Sequence, residues 1–177
     1  IINLAKRADR IKRFKKTHES WTKQVCLRPA YDGRRIELTP ALAKVFLPND
    51  FHWKKSVMGC ALSHLGLWWQ LANEKKEINN YLILEDDVKL APQWEEKWKE
   101  ASAFLPEDYD IIYLGGILPP NHVVFDQLKE PVNRYFSRVA ANSVFGQKPP
   151  NHYFHWCAYS YVLSRRGAEK ILQLILF

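Results

Sequence analysis

Residues 81–88 read Tyr81-Leu82-Ile83-Leu84-Glu85-Asp86-Asp87-Val88, an apolar run that passes straight into three carboxylates. The apolar half is short and β-compatible, which predicts a buried strand. The carboxylates then fall at its C-terminal end, where open α/β sheets bind their ligands. Side chains alternate along a strand, so Glu85 and Asp87 are expected on one face and Asp86 on the other. Adjacent acids repel, and burying them is costly. A divalent cation would resolve the conflict, because hard ions such as Mn²⁺ and Mg²⁺ prefer carboxylate oxygens and often share them with substrate phosphates. The plainer alternative is a solvated acidic turn after a core strand.

Outward from this stretch, Gly59-Cys60-Ala61-Leu62-Ser63-His64 opens a helix that runs to about Asn73, with Leu62, Leu65 and Trp69 as its expected buried stripe. Ser63 and His64 lie near its start; a lone histidine is more often packed or hydrogen-bonded than a ligand. On the other side, Pro92 to Ala103 predicts a helix with Trp94 and Trp98 at core spacing. Ile111–Leu114 predicts a further buried strand ending at Gly115-Gly116. If that strand is parallel to the central one, its ligand-facing end is the glycine pair. Asp110 then sits at the opposite rim and is discounted as catalytic.

The N-terminal region predicts a strand at Ile1–Leu4 and a helix through about His18, in which Ile11 and Phe14 share a face. Arg7 and Arg10 fall at the strand-to-helix junction, where a helix N-terminus favours anions and arginine can fork onto phosphate. Val25–Leu27 predicts a second strand, followed by Asp32-Gly33 in a tight turn. An acid there can accept from ribose hydroxyls in nucleotide-binding α/β folds, or can simply form the turn. Residues 34–56 look irregular. Residues 117–152 form a long, weakly patterned segment holding the acids Asp126 and Glu130, and long loops are often functional. His152–Leu163 is dense in aromatics and predicts a strand, and Ser164 is a candidate N-cap for the last helix.

With 177 residues and 47% apolar content, the chain can bury a sizeable core, which argues against disorder. Lysine and arginine exceed acids 26 to 19, a net charge of +7. That balance suits a phosphorylated ligand or peripheral association with an anionic membrane face. It also suits nucleic acid, but the basic residues are dispersed and no nucleic-acid-binding signature is visible, so no nucleic acid partner is expected. Cys26, Cys60 and Cys157 are widely spaced, which argues against a disulfide framework and for buried thiols. A single domain over residues 1–177 is expected. The apolar ends suggest that it is cut at its C-terminus.

Five separated segments together resemble glycosyltransferase family 25, whose members include lipooligosaccharide galactosyltransferases and procollagen galactosyltransferases. Ile2-Asn3-Leu4 with Arg7, Asp9 and Arg10 is similar to its opening motif, Ala30-Tyr31-Asp32-Gly33 to its Ala-x-Asp-Gly, and Gly59–His64 to its Gly-Cys-x-Leu-Ser-His. Ile83–Val88 resembles its acidic strand end, and Tyr161–Ser164 with Gly167-Ala168 resembles its closing strand and helix. One position departs: Val57 stands where the family commonly has glutamate.

The resemblance implies an α/β, GT-A-like nucleotide-sugar-binding fold with a mostly parallel central sheet flanked by helices. It implies an inverting hexosyltransferase that moves galactose from a UDP-sugar to a hydroxyl of a glycan, glycolipid or protein. Glu85 and Asp87 match the metal-binding acids and would hold Mn²⁺ or Mg²⁺. Asn3, Arg7, Arg10, Asp32, Ser63, His64 and Asp86 are the expected nucleotide-sugar contacts. Apart from the resemblance, aromatic rings stack on sugar faces, so Tyr153 and Trp156 are candidates for the acceptor side, with core packing an equal alternative; His152 or His155 could add a metal ligand, but satisfied histidines in an aromatic-rich strand are the preferred reading. The catalytic base is not identified. Bacterial relatives work at the cytoplasmic membrane face, in lipopolysaccharide biosynthesis, and collagen-modifying ones in the endoplasmic reticulum lumen. The alternative reading is a catalytically weak relative that binds a sugar nucleotide or glycan.

Overall fold

The computed structural model describes residues 1–19, 23, 25–47, 53–75, 77–115, 129–139 and 158–176, which form a mixed α/β fold. In chain order these contain strand β1 (Ile2–Asn3), helix α1 (Ala8–Thr17), strand β2 (Arg28–Pro29) and a 3₁₀ turn (Gly33–Arg35). Helices α2 (Pro40–Phe46) and α3 (Lys55–Ala72), strand β3 (Asn80–Leu84) and helix α4 (Trp94–Ser102) follow. Strands β4 (Ile111–Tyr113), β5 (Lys129–Pro131), β6 (Ser137–Val139) and β7 (Ser160–Ser164) then lead into helix α5 (Arg165–Leu176).

The predicted central strand is present as β3, but it does not sit in a mostly parallel sheet. The largest described sheet has the order β3-β7-β4, and β7 is antiparallel to both neighbours. The register pairs Leu84 with Ser160 and Tyr113 with Tyr161. The physical reason is a late insertion: β3 and β4 run the same way, as strands joined through a helix do, and β7 returns between them in reverse. β1 and β2 pair in parallel, and Ile2 forms a parallel bridge with Glu85. The C-terminal ends of β1, β3 and β4 therefore share one rim. β2 is displaced from the expected Val25–Leu27 to Arg28–Pro29, the residues that lie in register with Ile2 and Asn3.

Alternation along β3 sorts its side chains into two layers. Ile83 packs with Leu67 and Leu71 of α3, with Tyr161 and Leu163 of β7, and with Ala168 of α5. Leu84 packs on the opposite face with Ile1 and Phe14, and Ile11 and Leu82 join that cluster. Ile11 and Phe14 thus share a buried face of α1, as their spacing predicts. In α3 the buried residues include Met58, Ser63, His64, Leu67 and Leu71, whereas Trp69 is 56% exposed and Leu62 and Leu65 are half-buried. The stripe drawn from apolar residues alone is rotated, because Ser63 and His64 find polar partners inside. Trp94 and Trp98 are only half-buried, and α4 buries no residue fully. Cys26 and Cys60 are exposed rather than buried. Cys157 lies outside the described residues.

The irregular region contains α2, whose N-cap Thr39 accepts from the Leu42 backbone N–H at 3.2 Å. The long segment contributes the β5–β6 hairpin. Ser164 caps α5 as expected, its hydroxyl accepting from Gly167 N–H at 3.0 Å. Asp110 lies at the far rim, held by Arg166 at 2.9 Å and Lys170 at 2.7 Å. Among the described residues, no helix is long and apolar enough to cross a membrane.

Candidate functional site

Where β1 and β3 end, the rim opens into a cleft of ≈ 390 Å³. Its walls include Lys6, Arg7 and Arg10 from the β1–α1 junction, and Tyr31, Asp32 and Arg34 from the turn after β2. Cys60 and Ser63 of α3 and the acids Glu85 and Asp86 complete it. The turn is pressed onto α3 backbone to backbone: a Cβ on Gly33 would lie 1.9 Å from the Lys55 carbonyl oxygen, and one on Gly59 would lie 2.7 Å from Gly33 N. Glycine is required at both places by that approach.

The acidic triplet splits between layers. Glu85 keeps the phase of Ile83 and so faces α3. Its Oε1 lies 3.5 Å from His64 Nε2, and it accepts from the Cys60 thiol at 3.8 Å. Asp86 takes the other phase, is 6% exposed, and accepts from Asn3 Nδ2 at 2.7 Å and Arg10 Nη1 at 3.3 Å. Asp87 does not rejoin Glu85. The chain turns here, closed by Val88 N–H donating to the Glu85 carbonyl at 3.3 Å, and Asp87 pairs with Arg10 at 2.7 Å instead. Strand alternation ends where the turn begins, so the expected common face of Glu85 and Asp87 is not formed. Cys60, His64 and Glu85 are the one group of three or more metal-capable side chains that converges among the described residues.

The other expected contacts have partners within the chain. Arg7 forks onto Asp9 with two bonds of 2.9 Å, which holds the Asp9 carboxyl down at about 2. Asn3 also donates to the Arg7 carbonyl at 3.3 Å. Asp32 accepts from Arg34 and Lys6, and the Arg34 side chain above all holds its pKa well below the usual carboxylate range. Ser63 accepts from Tyr31 N–H at 2.9 Å and donates to the Gly59 carbonyl, so it pins the turn to α3. His64 is 3% exposed, with Nδ1 at 2.7 Å from the Tyr161 hydroxyl, which also accepts from Trp68 Nε1 at 2.8 Å. Burial first of all raises the Tyr161 pKa, so the phenol stays protonated.

Asp126, His152, Tyr153, His155 and Trp156 lie outside the described residues. Glu130 is exposed on β5 opposite Arg138. A second cleft of ≈ 420 Å³ lies against β4, β5 and β6. Its acids Asp108 and Asp110 are taken by Arg138, Arg166 and Lys170.

Sequence reasoning missed five contributors: Lys6, Tyr31, Arg34, Cys60 and Tyr161. Cys60 was legible, since it stands four residues before His64 on one helix and shares its face. Tyr161 stands in the closing-strand motif, but its place beside His64 carried no signal, because only the β7–β3 register brings its strand there.

The family described as Glycosyltransferase family 25 (LPS biosynthesis protein) matches residues 1–176. Procollagen galactosyltransferase 1 of Danio rerio is 26% identical over 184 residues, covering 98% of this chain and 28% of that protein. Procollagen galactosyltransferase 2 of Homo sapiens is 26% identical over 185 residues, covering 97% of this chain and 26% of that protein. The chain thus spans under a third of the length of these relatives.

Proposed function

Because the chain belongs to glycosyltransferase family 25, we propose that it transfers a hexose, galactose before others, from a UDP-sugar to an acceptor hydroxyl with inversion. The acceptor is a glycan, glycolipid or protein. The observation that carries this reading is the cleft at the shared strand ends, where Lys6, Arg7, Arg10 and Arg34 gather around a buried acidic centre. Four cationic side chains suit a diphosphate, and arginine can fork onto its oxygens. The 58% exposed Tyr31 ring offers a stacking face for the base. Asp86 orients Arg10 and Asn3, and so positions cleft groups rather than reacting.

The donor set suits a hard divalent cation: Glu85 lines the cleft, and Asp87 follows with an exposed carboxylate. Glu85 and Asp87 are the acids that would hold Mn²⁺ or Mg²⁺; because the turn sets them on different faces, this would require Asp87 to leave Arg10. Such a cation, when bound, neutralises charge on the diphosphate leaving group. Attachment at a membrane face follows from the +7 net charge only if the acceptor is a lipid.

The test is a donor screen by thermal shift, followed by transfer of labelled sugar. UDP-galactose should raise the melting temperature, by mass action on the folded state, and Mn²⁺ should add to it. Asp87→Asn should abolish Mn²⁺-dependent transfer while keeping the fold. Full activity in excess chelator, or in that variant, removes the cation from the proposal. No shift and no transfer with any UDP-sugar overturns the reading altogether. A shift without transfer assigns the binding-only alternative, which Val57 at the family's glutamate position motivates.

A further inference from the structure

We propose that Cys60, His64 and Glu85 form a site for a borderline transition-metal ion of the zinc class, open to the cleft. The site stands on geometry alone and does not depend on the sugar-transfer reading. Cys60 and His64 are one helical turn apart on α3, and Glu85 approaches them from the end of β3. The three ligand atoms lie within 4.8 Å of one another, with Glu85 Oε1 at 3.5 Å from His64 Nε2 and 3.8 Å from Cys60 Sγ. Ligands around a tetrahedral zinc ion stand roughly 3.3–3.8 Å apart, so two edges of the triangle are already close to the required length.

The second observation is His64 Nε2 itself. It is buried and has no hydrogen-bond partner among the described residues. Tyr161 occupies the other ring nitrogen, and the two tautomers can be compared. If Nδ1 carries the hydrogen, it donates to the Tyr161 oxygen beside the Trp68 donor, and a bare Nε2 lone pair faces a carboxylate. If Nε2 carries it, the N–H stands 3.5 Å from Glu85 Oε1, too far for a good hydrogen bond. Both leave a buried polar atom unsatisfied, which is costly. An ion between Nε2, Sγ and Oε1 removes that cost, and the first tautomer is the one it needs.

The donor chemistry selects the ion. A thiolate with an imidazole and one carboxylate suits Zn²⁺ or Co²⁺ far better than Mg²⁺ or Mn²⁺. Binding converts the Cys60 S–H to thiolate, with the proton released to solvent. Exposed Cys60 gives the ion its entry path, and Cys60 and Glu85 both line the cleft. Glu85 cannot give the same oxygen to two ions, so a zinc-class ion and a hard cation compete for it.

Cobalt(II) titration of the 177-residue chain tests the site with a readout independent of activity. A thiolate-to-cobalt charge-transfer band should appear, saturate at one equivalent, and vanish when Zn²⁺ is added. Cys60→Ser, at an exposed position, should lose the band while keeping the melting temperature of the metal-free protein. Glu85→Gln should weaken cobalt binding by more than about tenfold, since even outer partners of metal ligands are worth that much. Cys26→Ser should change nothing. Absence of the band, or its survival in Cys60→Ser, overturns the proposal.

Discussion

Glu85 and Asp86 are chain neighbours that serve different layers. The first looks toward α3, the second toward α1. That split was legible from period-two alternation, and Asp87 was not, because a turn erases the period without changing composition. Tyr161 shows what a single hydroxyl can organise: it serves a histidine and a tryptophan at once. Tyr161→Phe keeps the ring and removes the oxygen, leaving Trp68 Nε1–H and His64 Nδ1 without it. The expected loss is about 1–3 kcal/mol, read as a lower unfolding midpoint. Cobalt affinity should fall by about 10–100-fold, because the histidine loses its orienting partner. Asp32 gives a pH signature. Its folded pKa is depressed, chiefly by Arg34, so its contribution is fully present above the unfolded value and lost as pH falls through the folded one. Melting curves from pH about 4 downward should show this loss, and Asp32→Asn should flatten that limb.

At the scale of elements, α3 decides the geometry of the cleft. Its N-terminal half touches the 3₁₀ turn so closely that side chains are excluded. Gly33→Ala should cost more than about 1–3 kcal/mol, since the nearest atom to the new methyl belongs to backbone and cannot swing away. Gly66→Ala, two residues beyond His64, meets only the Tyr31 ring at 3.7 Å and should stabilise by about 0.5–1 kcal/mol. Comparing the two unfolding midpoints separates close approach from helix propensity. The glycines of Asp32-Gly33 and Gly59-Cys60 were visible as motifs, but that they meet each other was not. The Ser164 cap was legible from local chemistry alone. Thr39-Pro40 carried the same signal, an N-cap followed by proline at the first helical position, and it marks α2. The buried stripe of α3 was misread because hydrophobicity ignores polar groups that are satisfied inside.

For the whole molecule, each strand of the central sheet could be found from its apolar run, while their order and direction could not. Nothing in Ser160–Ser164 says that it belongs between β3 and β4 rather than at an edge. Leu163 records that placement: it pairs with Tyr81 on one side and Ile111 on the other, and is fully buried. Leu163→Ala should cost about 2–5 kcal/mol, a cost that denaturant unfolding measures directly. The placement also bears on how the chain comes into being. During synthesis β3 and β4 leave the ribosome well before β7, so each waits with an unmatched edge for a partner some 50–80 residues downstream. Until that partner arrives, the nascent domain is exposed to sticking to other chains, and closing so long a loop is slow.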